Sequence, residues 1–290
     1  MSEVLIYDMV GFSKIATATP AEFCRELHGG QFSYETNPII RRGTGGQRKV
    51  LKGMSGITTS CRCTGVAVAD WSLWLPGALD LQIASMFDCL AEVDDGTEGA
   101  EFVLTGGQPS KFGLEWTDAP DAEVEFVLDA VWALATEQAV GTAAPVYFTD
   151  ATAAGYGPGD MSVVIGDDPG VISIKLAVDL LTKVHNTATV RAAGVKTNPD
   201  SYHLTGVDPT CELITTEPIV ITQLTDDEYT AGDIVVTLDN GVVADDAAIT
   251  LKDMICPNFN LPWEGEGKIG FAHSFILGSS ADVWGSAAVA

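Results

Sequence analysis

The chain of 290 residues is long enough for one large or two small domains, and its 46% hydrophobic content is ample for a buried core, so extensive disorder is excluded. It carries 15 Lys and Arg against 40 Asp and Glu, a formal net charge of −25. Nucleic acid binding by the surface as a whole is excluded, because phosphate contacts need clustered cations. Acidity of this kind is typical of halophilic proteins, in which salt screens the self-repulsion; an acidic mesophilic protein is the alternative.

The charge is distributed unevenly along the chain. Residues 1–62 hold eight Lys and Arg against five Asp and Glu, a net of +3, and the remaining seven cations and 35 carboxylates give residues 63–290 a net of −28. Five cations fall within twelve positions: Arg41, Arg42, Arg48, Lys49 and Lys52. This pattern predicts a contact between copies, in which the basic segment meets a neighbour's acidic surface, and a solvated basic loop is the alternative.

The first predicted element is a short helix in an N-terminal arm. Thr19 is placed as its N-cap, Pro20 at its first position and Glu22 at the capping-box position, and Gly29 and Gly30 end it. Residues 31–40 then alternate sufficiently for a strand. The glycine-rich basic sequence RRGTGGQRK, residues 41–49, predicts a long, mobile loop between strands.

A second helix is predicted further along. Residues 57–70 are β-branched and small, which favours a strand. Behind Pro76, apolar residues recur at helical spacing, which predicts one amphipathic helix packed on a sheet. These apolar residues are Leu79, Ile83, Met86, Phe87 and Leu90.

The rest of the chain is predicted to be β-rich. Short strands are expected at 102–105, 112–116 and 123–128, and the small residues of 151–160 indicate a junction between domains. The second half then alternates apolar and polar residues. Its strands are expected at 172–180, 202–216 and 269–277, with an Asn-Gly hairpin around Asn240 and a brief helical turn opened by Thr225. The fold class is therefore mainly β.

The sequence contains no specific motif for a catalytic or cofactor-binding site. The sequence GEGKIG at 265–270 matches a dinucleotide fingerprint formally, but a strand is predicted after it in place of a helix. The histidines and serines fit no nucleophile motif, and the Asp-Asp pairs are interpreted as turns facing water, with Ca²⁺ binding as the alternative. We therefore expect no enzyme activity, no catalytic residues, no cofactor and no metal.

The cysteines and tryptophans are predicted to serve the core. The six cysteines are scattered, which indicates packing in a reducing cytoplasm: Cys24, Cys61, Cys63, Cys89, Cys211 and Cys256. The six tryptophans lie mostly in or beside predicted elements. With no window of 18 apolar residues and no signal-like start, we expect a soluble protein made in the cytoplasm, without membrane contact.

The order of features resembles the major tail tube proteins of siphovirus-like phages and of haloarchaeal tailed viruses. Four passages carry the resemblance: NPIIRRGTGGQRKVLKGMSGI (37–57), PGALDLQIASMF (76–87), SVVIGDDPGVISIKLAVD (162–179) and WEGEGKIGFAHSFIL (263–277). Their layout spans most of the chain. The C-terminal half lacks an equally long basic loop, so a strict internal duplication is not supported.

The resemblance implies a tail-tube-type β-sandwich or split barrel with one packed α-helix. It implies an N-terminal arm (1–30) and two tandem β domains (31–150 and 151–290). It also implies a homo-oligomer, either a trimeric pseudo-hexameric ring or a hexamer, which stacks into a tube in the virion tail. Its partners would be tape measure, tail terminator and baseplate proteins, and viral DNA would pass through without specific binding.

The resemblance further implies an inter-ring contact loop. Its residues are Arg41, Arg42, Gly43, Gly45, Gly46, Arg48, Lys49 and Lys52. Two rival functions come from other classes. One is an acidic β-sandwich binding or adhesion module of a halophile, which exposed aromatic residues in loops would favour. The other is a halophilic hydrolase, which the absence of a nucleophile motif weakens.

Overall fold

The structure is a computed structural model of the 290-residue chain. It describes residues 9–14, 21–22, 24–36, 39–42, 48–51, 55–66, 68, 71, 74–75, 87–94, 99–117, 119, 122–132, 134–138, 155–165, 169–185, 201–217, 219, 232–260, 270–278 and 284–289.

These residues form 17 β-strands. In the first half they are β1 (Met9–Lys14), β2 (Ala21–Glu22), β3 (Cys24–Thr36), β4 (Ile39–Arg42), β5 (Arg48–Leu51), β6 (Ser55–Val66), β7 (Phe87–Asp94), β8 (Gly99–Thr117), β9 (Glu125–Trp132) and β10 (Leu134–Gln138). In the second half they are β11 (Met161–Val164), β12 (Val171–His185), β13 (Ser201–Thr215), β14 (Gly232–Leu238), β15 (Ala247–Asn260), β16 (Phe271–Leu277) and β17 (Gly285–Val289).

Fifteen of the strands form one antiparallel sheet. Its central part runs β3-β6-β9-β8-β12-β13-β16-β15-β14-β11, and β17 pairs with β15. The long strand β8 serves two groups of neighbours, because its N-terminal part pairs with β7 and β10 and its C-terminal part pairs with β9 and β12. Strands β4 and β5 pair with each other and form a separate two-stranded sheet.

Alternation of apolar and polar residues produces the core. In β9 every second residue is buried from Phe126 to Trp132. In β12 the same holds for Ile174, Leu176, Val178 and Leu180, so one face of these strands packs inward and the other faces solvent. Strands β14 and β15 bury an equivalent apolar row in the same core.

An aromatic cluster joins distant segments within this core. The ring of Phe126 lies 5.7 Å from that of Trp71, 6.0 Å from that of Phe112 and 6.4 Å from that of Tyr156, measured between centroids. The Tyr156 carbonyl also accepts a hydrogen bond from the backbone N–H of Val124 at 2.8 Å. Tyr156, in the described part of the predicted junction 151–160, therefore packs into the core against β9.

The mainly β prediction is confirmed, and so are most of the strands. The alternating run 172–180 lies in β12, 202–216 lies almost entirely in β13, and 269–277 includes β16. The Asn-Gly turn at Asn240 joins β14 to β15, with a short 3₁₀ turn at Val243–Asp245, and Gly241 has a φ of 80° that suits glycine. The strands predicted at 102–105 and 112–116 are two parts of β8.

The prediction of a helix after Thr19 is wrong. Ala21 and Glu22 form β2, and residues 24–36 form β3, which pairs with β6 along nearly its whole length. A capping signal contributes about 1 kcal/mol, which is a local preference. The ladder with β6 and the burial of Cys24 outweigh it.

The prediction of a helix after Pro76 is wrong at its C-terminal end, because Phe87 and Leu90 lie in β7. This strand pairs with β1 on one side and with β8 on the other. Residues 76–86 lie outside the described residues. The helical residues that the structure does describe come earlier: Val68, Trp71 and Trp74 are helical and buried, and the Leu75 N–H donates to the Trp71 carbonyl at 2.8 Å. The spacing of these three residues matches one helix face.

The predicted boundary at residue 30, between the N-terminal arm and the first domain, lies inside β3. The ladder between β8 and β12 joins the two predicted domains. The helical turn predicted at Thr225 lies outside the described residues. In the part of the chain that the structure describes, no helix is long and apolar enough to cross a membrane.

The predicted core role of the cysteines is confirmed for Cys24, Cys61, Cys63, Cys211 and Cys256, which are buried. Burial raises the pKa of the Cys61 thiol to about 12, which keeps it protonated and unreactive. Four tryptophans are also buried: Trp71, Trp74, Trp132 and Trp284. Trp116 is partly buried, and Trp263 and the side chain of Cys89 lie outside what the structure describes.

Candidate functional site

The main candidate is the solvent-facing side of five neighbouring strands, β6, β9, β8, β12 and β13, which we call the charged face. Its residues follow from the register of the ladders. Lys175 pairs with Glu115 on one side and Glu212 on the other, whereas their chain neighbours Leu114, Leu176 and Cys211 are buried. Charged side chains therefore lie side by side across the sheet.

Arg62 links three strands of this face. Its guanidinium donates to Glu125 Oε2 at 2.7 Å and to Glu115 Oε2 at 2.5 Å, and Lys175 Nζ lies 3.6 Å from Glu115 Oε1. The hydrogen bonds to Glu125 and Glu115 raise the pKa of the Arg62 guanidinium further, so it stays charged at any pH of interest. The pairs are partly exposed, so each contributes little stability, and their main effect is to order the face.

Carboxylates outnumber cations on the charged face. Among the side chains of these five strands that the structure describes, three outward ones are cationic and six are acidic. They are Arg62, Lys111 and Lys175 against Glu115, Glu125, Asp129, Asp179, Asp208 and Glu212. In the middle of the face, Gly113 pairs with Ala177 and Val127, which keeps the surface shallow there.

A polar pocket of about 220 Å³ lies beside the charged face, at the end near β3, and we call it the Asp129 pocket. Two cross-strand rows contribute to it, Gln31–Ser60–Asp129 and Ser33–Thr58. Its lining residues are Gln31, Ser33, Thr58, Thr59, Ser60, Ser110, Asp129 and Ala130. Asp129 Oδ1 is buried and has no hydrogen-bond partner among the described residues. The lining thus consists of residues with hydroxyl and amide groups, together with Ala130 and Asp129.

The predicted contact residues lie partly in strands. Arg41 and Arg42 belong to β4 and Arg48 and Lys49 to β5, where Arg41 pairs with Lys49 and Arg42 with Arg48; we call this unit the basic hairpin. The prediction of a loop across residues 41–49 is therefore wrong at these four positions. Four basic residues thus occupy two successive paired positions of this ladder. Gly43, Gly45, Gly46 and Lys52 lie outside the described residues.

Strand β3 forms one edge of the large sheet. Within the part of the chain that the structure describes, its 13 residues pair with β6 alone, and the short strand β11 at the other end pairs with β14 alone. A long strand with a free edge exposes unpaired N–H and C=O groups, which a further strand can satisfy.

The sequence contained a signal for the charged face, although the prediction did not use it. Lys111 and Glu115, Glu125 and Asp129, and Lys175 and Asp179 each lie four residues apart on strands whose other face is apolar. That spacing places both members of each pair on one side of a strand. The contacts between strands require the order β6-β9-β8-β12, which no local pattern contains.

Among the described residues, no group of three or more His, Cys, Asp or Glu is arranged to hold a metal ion. Of the Asp-Asp pairs, Asp245 and Asp246 are described in full and are half-buried beside the β14–β15 turn. The Asp245 carbonyl accepts a hydrogen bond from the Tyr156 hydroxyl at 2.5 Å.

No protein-family model matches the chain, and no curated protein matches it in sequence. The described residues form a mainly β structure with a large antiparallel sheet.

Proposed function

We propose that the protein is a virion structural subunit, which self-assembles into rings that stack as the tail tube of a long-tailed virus. Viral DNA would pass through the tube without specific binding. The ring would be a trimer with pseudo-sixfold symmetry, or a hexamer, and would meet tape measure, terminator and baseplate proteins in the virion. The observation that carries the proposal is the charged face.

The charged face suits the wall of a DNA conduit. Its described charges sum to −3, and residues 63–290 as a whole carry −28, so the surface repels phosphate groups. Clustered cations would instead bind DNA by releasing counterions. A shallow, net-negative surface supported by five strands would allow the polymer to slide.

The edge of β3 that pairs with no other described strand supports ring formation. In a closed ring of identical subunits, each free edge lies against the next subunit, and closure leaves no edge for uncontrolled growth. Pairing along the 13 residues of β3 would extend the 15-stranded sheet from one subunit into its neighbour.

The basic hairpin supports stacking of rings. Four basic residues occupy paired positions of a two-stranded sheet outside the main sheet, while the rest of the protein is strongly acidic. Such a basic segment would attract the acidic surface of a neighbouring copy.

Sedimentation velocity at a fixed salt concentration tests this role. Replacement of Arg41, Arg42, Arg48 and Lys49 by Ser should shift the protein from long assemblies to single rings or subunits. A control that changes the three arginines to Lys keeps the charge and should assemble like the wild type. Circular dichroism should show that both variants are folded. Assembly of the Ser variant equal to that of the wild type would refute the stacking role.

A further inference from the structure

A row of uncharged residues crosses the charged face and continues onto β16 and β15. Its members occupy directly paired positions, so they lie side by side on the solvent-facing side of six adjacent strands. They are Val127, Gly113, Ala177, Thr210, Ile276 and Ile255. We call this set the neutral row. At about 4.8 Å between neighbouring strands, it is about 24 Å long.

Charged residues flank the neutral row on both sides. On β9, β8, β12 and β13, the residues two positions before and two positions after its members are charged. One side has Glu125, Glu115, Lys175 and Glu212, and the other has Asp129, Lys111, Asp179 and Asp208. We call these the two rims. Residues four apart on a strand are separated by about 14 Å, which is therefore the distance between the backbones of the rims.

The negative charge of the rims is least compensated on β13. Asp208 and Glu212 are exposed, and within the described part of the chain neither forms an ion pair. Lys175 is opposite Glu212 in the ladder, but its ammonium group lies 3.6 Å from Glu115. Asp208 is opposite Asp179, which has the same charge. Positive charge from a partner would thus be attracted to both rims at β13.

An apolar surface lies between these two carboxylates. Thr210 is in the neutral row midway between Asp208 and Glu212, and it pairs with Ile276, which is 42% exposed. On the other side of Thr210, Ala177 offers only a methyl group, so the surface is low there. A partner that buries apolar side chains along the row and places cations on both sides of them would match this surface.

The neutral row also favours one conformation of the partner. Thr210 supplies the only polar side chain of the row. An extended chain laid across the row would therefore turn backbone N–H and C=O groups toward apolar side chains that cannot satisfy them. An α-helix satisfies these groups internally, and its diameter of about 10–12 Å fits between the rims. At 1.5 Å per residue, about 16 residues of helix would span the row.

We propose that the neutral row and its two rims bind an amphipathic α-helix of another protein, with an apolar stripe flanked on both sides by Lys or Arg. The apolar stripe would cover Ala177, Thr210 and Ile276, and the flanking cations would reach Asp208 and Glu212. This site does not depend on ring formation. In a ring with the charged face inward, the helix would lie along the wall of the channel.

A designed peptide serves as the probe. It has about 16 residues, with Leu at positions i, i+3, i+4 and i+7 and Lys on both sides of that stripe. Its binding to the unassembled full chain is followed by fluorescence anisotropy, at the lowest salt concentration at which circular dichroism shows the chain folded. A control peptide of the same composition, with the Leu residues dispersed around the helix, should bind at least tenfold more weakly. Equal binding of the two peptides would show attraction by charge alone and would overturn the proposal.

Ala177→Leu tests the neutral row without a change in charge. The added side chain would fill the low part of the row, next to Gly113, and should weaken binding of the designed peptide about tenfold. Ala248→Leu is the matched control, because Ala248 lies on β15 outside the row, paired with Thr237 and not with Ile276. It should leave the affinity unchanged. Equal affinities of the two variants for the peptide would overturn the proposal.

Glu212→Lys tests the rims and remains informative if Ala177→Leu does not fold, because Glu212 is exposed. The reversal removes an attraction and adds a repulsion, so binding of the designed peptide should weaken about tenfold. Glu217→Lys makes the same change in net charge at an exposed position beyond the end of β13, and should weaken binding less than about twofold. Equal losses in the two variants would show attraction by net charge and would overturn the proposal.

The peptide assay and electron microscopy of the same protein separate this site from the proposed function. Stripe-dependent binding by a chain that forms no tubes would refute the tail tube and leave the helix site standing. Tubes formed by a chain that does not bind the designed peptide would refute the helix site alone.

Discussion

Phe126→Ala should strongly destabilise the subunit. Phe126 is fully buried in β9, and its ring lies within 6.4 Å of the rings of Trp71, Phe112 and Tyr156. Truncation of a buried Phe costs about 3–5 kcal/mol through lost burial and the cavity that remains. A domain is typically stable by about 5–15 kcal/mol, so this loss is a large part of the total.

Urea unfolding at one fixed salt concentration measures the effect, with tryptophan fluorescence as the signal because Trp71 lies 5.7 Å from Phe126. Phe126→Leu retains most of the volume and should lose less than half as much free energy. Val127→Ala, at the next position on the solvent side of β9, should cost about 1 kcal/mol or less. If Phe126→Ala lowers the free energy of unfolding no more than Val127→Ala, the assignment of the core face of β9 is wrong.

Two further predictions concern hydrogen bonds. Thr59→Val should lower the free energy of unfolding, measured in urea, by about 1–3 kcal/mol. The reason is that the Thr59 hydroxyl accepts a hydrogen bond from the buried Trp132 indole at 2.9 Å. An unchanged urea midpoint would contradict this prediction. The pKa of Asp233 is held below its ordinary value, chiefly by the hydrogen bond from Lys252 at 2.5 Å. The stability from this pair is thus present above the unfolded pKa of about 3.9 and is lost as pH falls through the lower folded pKa. Asp233→Asn should reduce the acid dependence of the urea midpoint between pH 6 and 3, and identical pH profiles would argue against the pair.

The strands were predictable because their signal is periodic. The alternation from Ile172 to Leu180 identifies β12, and the Asp-Asn-Gly sequence that ends at Gly241 identifies the turn between β14 and β15. In both cases, the local pattern and the tertiary packing favour the same structure.

The failed helices show where local signals mislead. The capping residues near Thr19 and the spacing of Phe87 and Leu90 suit helices, yet β3 pairs with β6 and β7 pairs with β1, which are distant in sequence. Those ladders depend on residues such as Val66 and Val103, which no local window includes. Pairing partners also explain the elongation of β8 beyond the two short strands predicted within it.

The candidate site was only partly predictable. The basic segment was evident from charge alone. The sequence did not indicate that four of its residues lie in a hairpin, in which Arg41 pairs with Lys49 and Arg42 pairs with Arg48. The charged face and the Asp129 pocket depend on the register between strands, because Asp129 meets Ser60 and Gln31 only across two ladders. The sequence therefore identifies the charged and polar residues of each strand but not their neighbours on adjacent strands.

The central claim, that the chain is a tail tube subunit, is tested most directly by negative-stain electron microscopy of the purified protein from low to multi-molar salt. Because salt screens the repulsion between acidic surfaces, with a Debye length of about 3 Å at 1 M, assembly should strengthen as salt increases. We expect stacked rings or tubes with a central channel of threefold or sixfold symmetry. A protein that remains monomeric in all conditions would contradict it and would favour a binding module instead.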